Sequence, residues 1–367
     1  MCFWIKINPF DTLFFRTPRP FSMGMDSWAE FVFPPYPSTI YGAIRSFLIF
    51  RKGKLSDFLD GKIKDDAIGI KDKKGTLRLK GPFIFKSNKP IFRAPLDLVK
   101  TEENKKAILQ LLEIIKKPTF MISNYELPYI LVWKRKEKAE SADGWINYDE
   151  LLNYIKGDKE KYSILGSDIF FEEPKIGIKR DRKTLTSEEG MLYRVKMIRL
   201  NKDVSIGVEI SGVDSFPEKG VIQLGGEGKS AFFERIEDPL KDLKDIEFKS
   251  NGIFKLYLAT PAIFEKGWIP KWIDEKSLEG EKEGIKLRLI ACAIGRYVPI
   301  GGWDLANKRA KPLRKAIPAG SVYYFQIRDS SSSEKIKEAF HLRSISDYNS
   351  EEGFGLSILG KVRGGAR

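Results

Sequence analysis

Gly252-Ile253-Phe254-Lys255-Leu256-Tyr257-Leu258-Ala259 opens the stretch whose order decides the fold. Its aromatic and branched residues read as a buried strand. Working outward toward the C-terminus, Trp268 to Ile273 reads as a short helix or turn, and Lys286 to Ile294 as a strand. Ser321 to Ile327 is another strand, Glu334 to Leu342 a helix, and Phe354 to Val362 a final strand. That succession is βαββαβ, the ferredoxin-like unit, and it is also the order of RNA-recognition domains.

Working outward toward the N-terminus, Asp238 to Ser250 is polar and charged and reads as a linker. Before it, Cys2 to Asn8 reads as a strand, and Asn8 to Pro37 as an early insertion. Pro34-Pro35-Tyr36-Pro37 forces an extended entry into a helix capped by Ser38 and ending near Gly53. Ile40, Tyr41, Ile44, Phe47 and Leu48 share one face of that helix. Phe83 to Phe85 and Tyr129 to Trp133 read as strands. Glu102 to Lys116 reads as an amphipathic helix through Ile108, Leu111 and Ile115, and Trp145 to Ile155 as a further helix. Lys175 to Lys183 is a basic loop. Met191 to Leu200 and Val204 to Ser211 are strands joined at Asn201-Lys202-Asp203 as a hairpin. The expected fold is therefore α+β: two ferredoxin-like (RRM-like) βαββαβ domains with insertions and antiparallel sheets. The N-terminal domain covers residues 1–240, with large insertions, and the C-terminal domain covers 250–367.

Composition narrows the function. A chain of 367 residues exceeds one ordinary core, which agrees with two domains. A formal charge of +14 points to a polyanionic partner, most often nucleic acid. The two cysteines, Cys2 and Cys292, have no metal-type spacing and cannot form a disulfide framework, which fits a reducing cytosol. No apolar run approaches a membrane span, and the first residues lack the layout of a signal peptide, so a cytoplasmic location without membrane contact is expected. Only three glutamines accompany abundant Lys and Glu, a bias that suits a thermophile.

Catalytic chemistry finds little support. His341 is the single histidine and closes the helix Glu334 to Leu342, where a basic group is favoured structurally. No compact Asp, Glu, His or Cys motif has ligand spacing, and nothing marks a nucleophile elbow, so no catalytic residue, metal or cofactor is expected. Gly225-Gly226-Glu227-Gly228-Lys229-Ser230 resembles a phosphate loop in part. The full pattern needs glycine at the position held by Gln223, so it fails. Two readings stand side by side: a tight turn that lets backbone N–H groups approach a phosphate, or an ordinary hairpin turn.

The charge is concentrated. Lys175 to Arg199 carries a net +5, and so does Arg296 to Lys315. Tyr193 lies in the first block; Tyr297, Trp303 and the Gly301-Gly302 pair lie in the second. Aromatics among cations can stack bases while the cations hold phosphates; otherwise these blocks are solvated faces with Trp303 as a core anchor.

Several segments in shared order resemble a known family. They are Asp11-Thr12-Leu13-Phe14-Phe15-Arg16 with Arg19-Pro20-Phe21, then Pro34 to Arg45, then Gly177-Ile178-Lys179-Arg180-Asp181-Arg182 with Glu189 to Tyr193. Leu224 to Lys229, Gly301-Gly302-Trp303-Asp304 and Gly353-Phe354-Gly355 complete the set. Together they resemble the third-subunit family of the type III-B CRISPR (Cmr) effector complex, within the RAMP superfamily. The resemblance implies two facing ferredoxin-like domains, glycine-rich loops on an RNA-binding side, and no nuclease activity of the chain's own. It implies three partners in antiviral defence: the 5′ tag of the guide RNA (crRNA), the large polymerase-like subunit and the adjacent backbone RAMP subunit. RNA contacts are expected at Lys179, Arg180, Arg182, Gly225, Gly226, Gly228, Lys229, Trp303, Lys308, Arg309, Lys311 and Arg314. Two other readings remain: a RAMP endoribonuclease that processes precursor RNA, and a protein-only scaffold.

Overall fold

The computed structural model describes residues 2–18, 28–103, 106–123, 125–166, 168–181, 183–184 and 186–363. The chain divides into two compact, interleaved units. One comprises Met1–Asn88, Asp168–Glu237 and Pro299–Arg314; the other comprises Lys89–Ser167, Asp238–Val298 and Lys315–Arg367.

In the first unit, Cys2–Pro9 is a central strand with antiparallel neighbours on both sides: Val204–Ser211 on one and Ser230–Ile236 on the other. Arg78–Lys86 lies beyond Val204–Ser211, and Lys219–Gln223 beyond Ser230–Ile236. Ile5 and Ile7 are fully buried and Trp4, on the opposite face, nearly so, so both faces of this strand are covered. The helix Pro37–Lys52 buries Ile40, Tyr41, Ile44 and Leu48. Its N-cap is Tyr36 in an extended conformation and Pro37 stands at the first helical position, so Ser38 is inside the first turn and is not the cap. Gly207 faces the ring of Phe85 so closely that a Cβ there would lie 2.3 Å from it, which restricts the position to glycine.

Phe170–Arg180 and Ser187–Leu200 pair antiparallel as a long hairpin, with a register shift between Ile178 and Arg180. The stretch read as a basic loop is thus mostly strand. Asn201-Lys202-Asp203 is a corner and not a hairpin turn: Ser187–Leu200 and Val204–Ser211 belong to different sheets. The base of the hairpin is fixed by Val195 and Met197, packed with Phe14 and Ala29, while Ile176 and Ile178 further out are exposed.

In the second unit the strand order is Glu279–Lys282, Ile285–Ala293, Val322–Ile327, Ile253–Leu258, Leu356–Lys361, Arg343–Ser344. The helix Ser333–Phe340 buries Ile336, Ala339 and Phe340, and Ser332 caps it by accepting a hydrogen bond from the N–H of Lys335 at 3.2 Å. Among the described residues no helix separates Ile253–Leu258 from Ile285–Ala293; Trp268 to Ile273 is turn and bridge structure, so the first helix of the expected unit is absent there.

Glu102 to Lys116 is not a helix. Leu98–Glu103 pairs with Lys106–Leu111, and Glu113–Lys116 pairs with Tyr129–Val132. The apolar spacing fits a helix face, but the β-branched Ile108, Ile114 and Ile115 suit a sheet equally, and the cross-strand bond from Gln110 to Thr101 at 2.7 Å is available only in the sheet. The expected linker Asp238 to Ser250 contains a short helix, Lys241–Lys244, and buries Leu240, Leu243, Ile246 and Phe248.

A polar cluster is buried in this unit. Asp97 is fully buried and accepts hydrogen bonds from the hydroxyls of Tyr154 and Tyr324, each at 2.6 Å. The Lys255 ammonium lies 3.7 Å from Asp97 and 3.4 Å from the centre of the Tyr154 ring. The cluster ties the segment 89–167 to the two central strands carrying Lys255 and Tyr324.

Candidate nucleic-acid interface

The glycine turn lies between Lys219–Gln223 and Ser230–Ile236 in the first unit. The Leu224 N–H donates to the Lys229 carbonyl at 2.8 Å and closes it. Gly225, Glu227 and Gly228 all have positive φ, at 79°, 60° and 65°, so the turn is tight and two of its glycines are required by conformation. Gly226 N–H donates to the Phe14 carbonyl at 2.9 Å. A side chain on Gly225 would meet that same carbonyl at 2.7 Å. The turn is therefore seated on the backbone that follows the first strand, which brings Lys229 beside Asp11.

There the charges pair. Asp11 accepts from Lys229 Nζ at 2.7 Å and from Arg199 Nη2 at 2.8 Å. Arg199 also bonds Glu173 across the hairpin. Lys175 bonds Glu227 in the turn at 2.8 Å, and Lys196 lies 3.6 Å from Glu172. The Lys229 ammonium chiefly, with the Arg199 guanidinium adding to it, holds the Asp11 carboxyl well below the usual carboxylate range. The bond from Arg199 lowers Glu173, and the bond to Glu227 raises Lys175. Of the basic side chains along the hairpin base, Lys175, Lys196 and Arg199 each have an acidic partner, and Arg194 sits 5.9 Å from the Trp28 ring centre. Sequence reading found Lys229 but missed Asp11, Glu173 and Glu227 as its electrostatic setting. Asp11 stood in a quoted motif, yet nothing local says that an acid there meets a lysine 218 positions away.

Lys179 and Arg180 end the outgoing strand of the hairpin. Arg182 lies outside the described residues. The tip is held by Asp181, which accepts from the backbone N–H groups of Lys183 and Thr184 at 2.8 Å each.

The second basic block forms a narrow ribbon. Trp303–Asp304 pairs with Arg309–Ala310, and Asp304 stabilises the turn by accepting from the N–H groups of Ala306 and Asn307 at 3.0 and 3.1 Å. Gly301 packs against Pro18, where a Cβ would come within 2.7 Å. Trp303 is 59% exposed, which excludes its reading as a core anchor. Lys308, Arg309 and Lys311 are exposed and Arg314 is half-buried. The ribbon thus presents an indole flanked by cations.

His341 is buried at the end of its helix. Its Nε2 lies 2.7 Å from the Leu243 carbonyl, and its Nδ1 accepts from the Leu359 N–H at 3.3 Å. A carbonyl only accepts and an N–H only donates, so the ring is the neutral Nε2–H tautomer. Burial lowers its pKa to about 4. The expected structural role stands, but through a neutral wedge and not through a charge on the helix dipole. Among the described residues no group of three or more His, Cys, Asp or Glu is placed to hold a metal, and no helix is long and apolar enough to cross a membrane.

These features define a strand-rich α+β protein of antiparallel sheets. The sequence profile of the family described as CRISPR-associated protein (Cas_Cmr3) matches residues 5–362, and the chain belongs to that family. It is accordingly a type III CRISPR effector subunit, of the Cmr type, in antiviral defence. No curated protein matches it significantly in sequence. Among solved structures it is similar to a chain of the type III-B Cmr-beta complex bound to cognate target RNA, with a TM-score of 0.50, 17% identity, and coverage of 89% of this chain and 86% of that one. A second state, bound to cognate target RNA and AMPPnP, gives a TM-score of 0.49 at 17% identity, covering 88% and 86%. A chain of the Csm3–Csm4 subcomplex of the type III-A interference complex gives 0.38 at 14% identity, covering 89% and 93%.

Proposed function

We propose that this chain is a non-catalytic subunit that holds the 5′ tag of the guide RNA and bridges the large polymerase-like subunit to the backbone RAMP subunit. The observation that carries the RNA part is the Trp303 ribbon: an exposed indole among exposed Lys308, Arg309 and Lys311, on a family member whose charge is strongly positive. An indole face stacks on any base while the adjacent cations neutralise phosphates. The hairpin end at Lys179 and Arg180 supplies further positive charge. Both units read best as elaborated ferredoxin-like domains, because in each a first strand lies between the last and third, with the second outside the third.

Bridging is supported by apolar surface with no use inside the subunit. Phe120 is 84% and Ile122 97% exposed in the connection between Glu113–Lys116 and Tyr129–Val132. Exposed apolar clusters of this kind mark protein contacts. The neutral, fully bonded state of His341 weighs against precursor cleavage by a histidine.

The test is binding of a guide RNA, with intact and scrambled 5′ tag, to the full chain alone and with its large-subunit partner at two salt concentrations. Tag-dependent binding without cleavage is expected. If about five phosphates are neutralised, log affinity falls against log salt with a slope of roughly −3 to −4. A flat slope, or indifference to the tag in both settings, would overturn the reading in favour of a scaffold.

A further inference from the structure

Asp11 already fills the anion place between two cations. Its two oxygens are bonded separately, one to Arg199 at 2.8 Å and one to Lys229 at 2.7 Å. Those cations come from different parts of the unit, one from the long hairpin and one from the strand after the glycine turn. Lys175 is likewise matched by Glu227, inside the turn itself. An RNA phosphate seeking Lys229 and Arg199 must displace a carboxylate that is already paired with both. A base edge faces no such conflict. A carboxylate offers roughly four acceptor positions. Arg199 and Lys229 use two of them, and the Asp11 side chain remains 53% exposed. An exocyclic amine or ring N–H of an unstacked base can donate to what is left without breaking either ion pair.

We infer that Asp11 is a specificity-determining residue, which closes the Lys229–Arg199 pair to backbone phosphate and offers its carboxylate to the N–H edge of a single-stranded base. This rests on the RNA-binding reading above. Affinity for any RNA comes from the cations that carry no carboxylate, and the glycine turn contributes discrimination. The arrangement separates the two tasks that phosphate and base contacts perform in RNA recognition. It also changes the role expected for Lys229, from a phosphate ligand to the residue that orients Asp11.

The test compares the wild-type chain with Asp11→Asn, Asp11→Ala and Glu103→Gln. Glu103 is paired with Lys161 in the other unit, so its substitution makes the same change in net charge elsewhere. The probes are a fluorescent guide RNA with its native tag and the same RNA with the tag scrambled. Both Asp11 variants are expected to bind the scrambled RNA about three- to tenfold tighter, the net size of one ordinary hydrogen bond, with no gain for the native tag. Their salt slope should steepen by about 0.7 to 1.4 as one or two cations become available to phosphate. Glu103→Gln should behave as wild type. Unchanged selectivity in the Asp11 variants, or an equal gain in Glu103→Gln, overturns the inference while RNA binding by the wild type stands. Failure of the wild type to bind either RNA overturns both readings together.

Discussion

The ring of Tyr193 lies directly across the long hairpin from Gly177: a Cβ built on Gly177 would come within 2.1 Å of it. The glycine is there because the ring covers the backbone of the opposite strand. Gly177→Val should displace the ring and cost about 1 kcal/mol of local stability, as overpacking does. That corresponds to roughly fivefold faster proteolytic nicking of the hairpin through local opening. Tyr193→Ala removes the collision, so the double variant should be nicked no faster than Tyr193→Ala alone. Independent, additive effects would show that the ring does not rest on this glycine.

His341 makes stability depend on pH below neutrality. It is the only histidine, and its pKa is lowered from 6.5 to about 4 by burial. Below pH 6.5 the unfolded chain binds a proton that the folded chain refuses. Stability is therefore complete above pH 6.5 and falls as the pH drops toward 4. Between pH 6.5 and 5 the loss should be about 2 kcal/mol. Denaturant titrations at both pH values will measure it. His341→Gln should flatten that dependence whatever it does to stability at pH 7.

Asp97 is a buried charge with three buried partners. Asp97→Ala leaves the Lys255 cation and two tyrosine hydroxyls without their acceptor, and should cost about 3–5 kcal/mol. The double variant Asp97→Asn with Lys255→Met removes both charges and keeps an acceptor for the tyrosines. It should be far less damaging, about 1 kcal/mol or less by the same reasoning. Equal losses in the two variants would show that packing, and not charge, is what the cluster maintains.

The Trp303 ribbon divides stacking from charge. Trp303→Ala should weaken RNA binding by about 1–3 kcal/mol with little change in salt slope. Lys311→Gln should lessen the slope by about 0.7 and weaken intact and scrambled tags equally. A Trp303 variant that binds as wild type would move the RNA off this ribbon.

Much of this was legible in the sequence where structure is decided locally. The strands around Phe254, Leu289 and Tyr324 follow from apolar, β-branched and aromatic runs. The helix Ser333–Phe340 follows from its Ser332 cap and apolar face. Glu102 to Lys116 failed because its apolar spacing fits both periods, and the pairing that decides it lies in neighbouring strands. The glycine turn and the basic blocks were legible as composition. The acids that neutralise part of them were not, because Asp11 reaches Lys229 and Glu227 reaches Lys175 only through the finished sheet.

The Asp97 cluster also has a consequence for the nascent chain. Asp97 and Tyr324 are 227 positions apart, so a carboxylate destined for the interior leaves the ribosome long before its hydroxyl partner exists. During that interval the segment around it can form its own hairpins but has nothing to seal it. Contacts of such long range slow folding, and the interval leaves strand edges open to self-association. Production of this chain should therefore respond to lower temperature and to chaperones that hold incomplete polypeptides, and fragments ending before residue 324 should be recovered as aggregate.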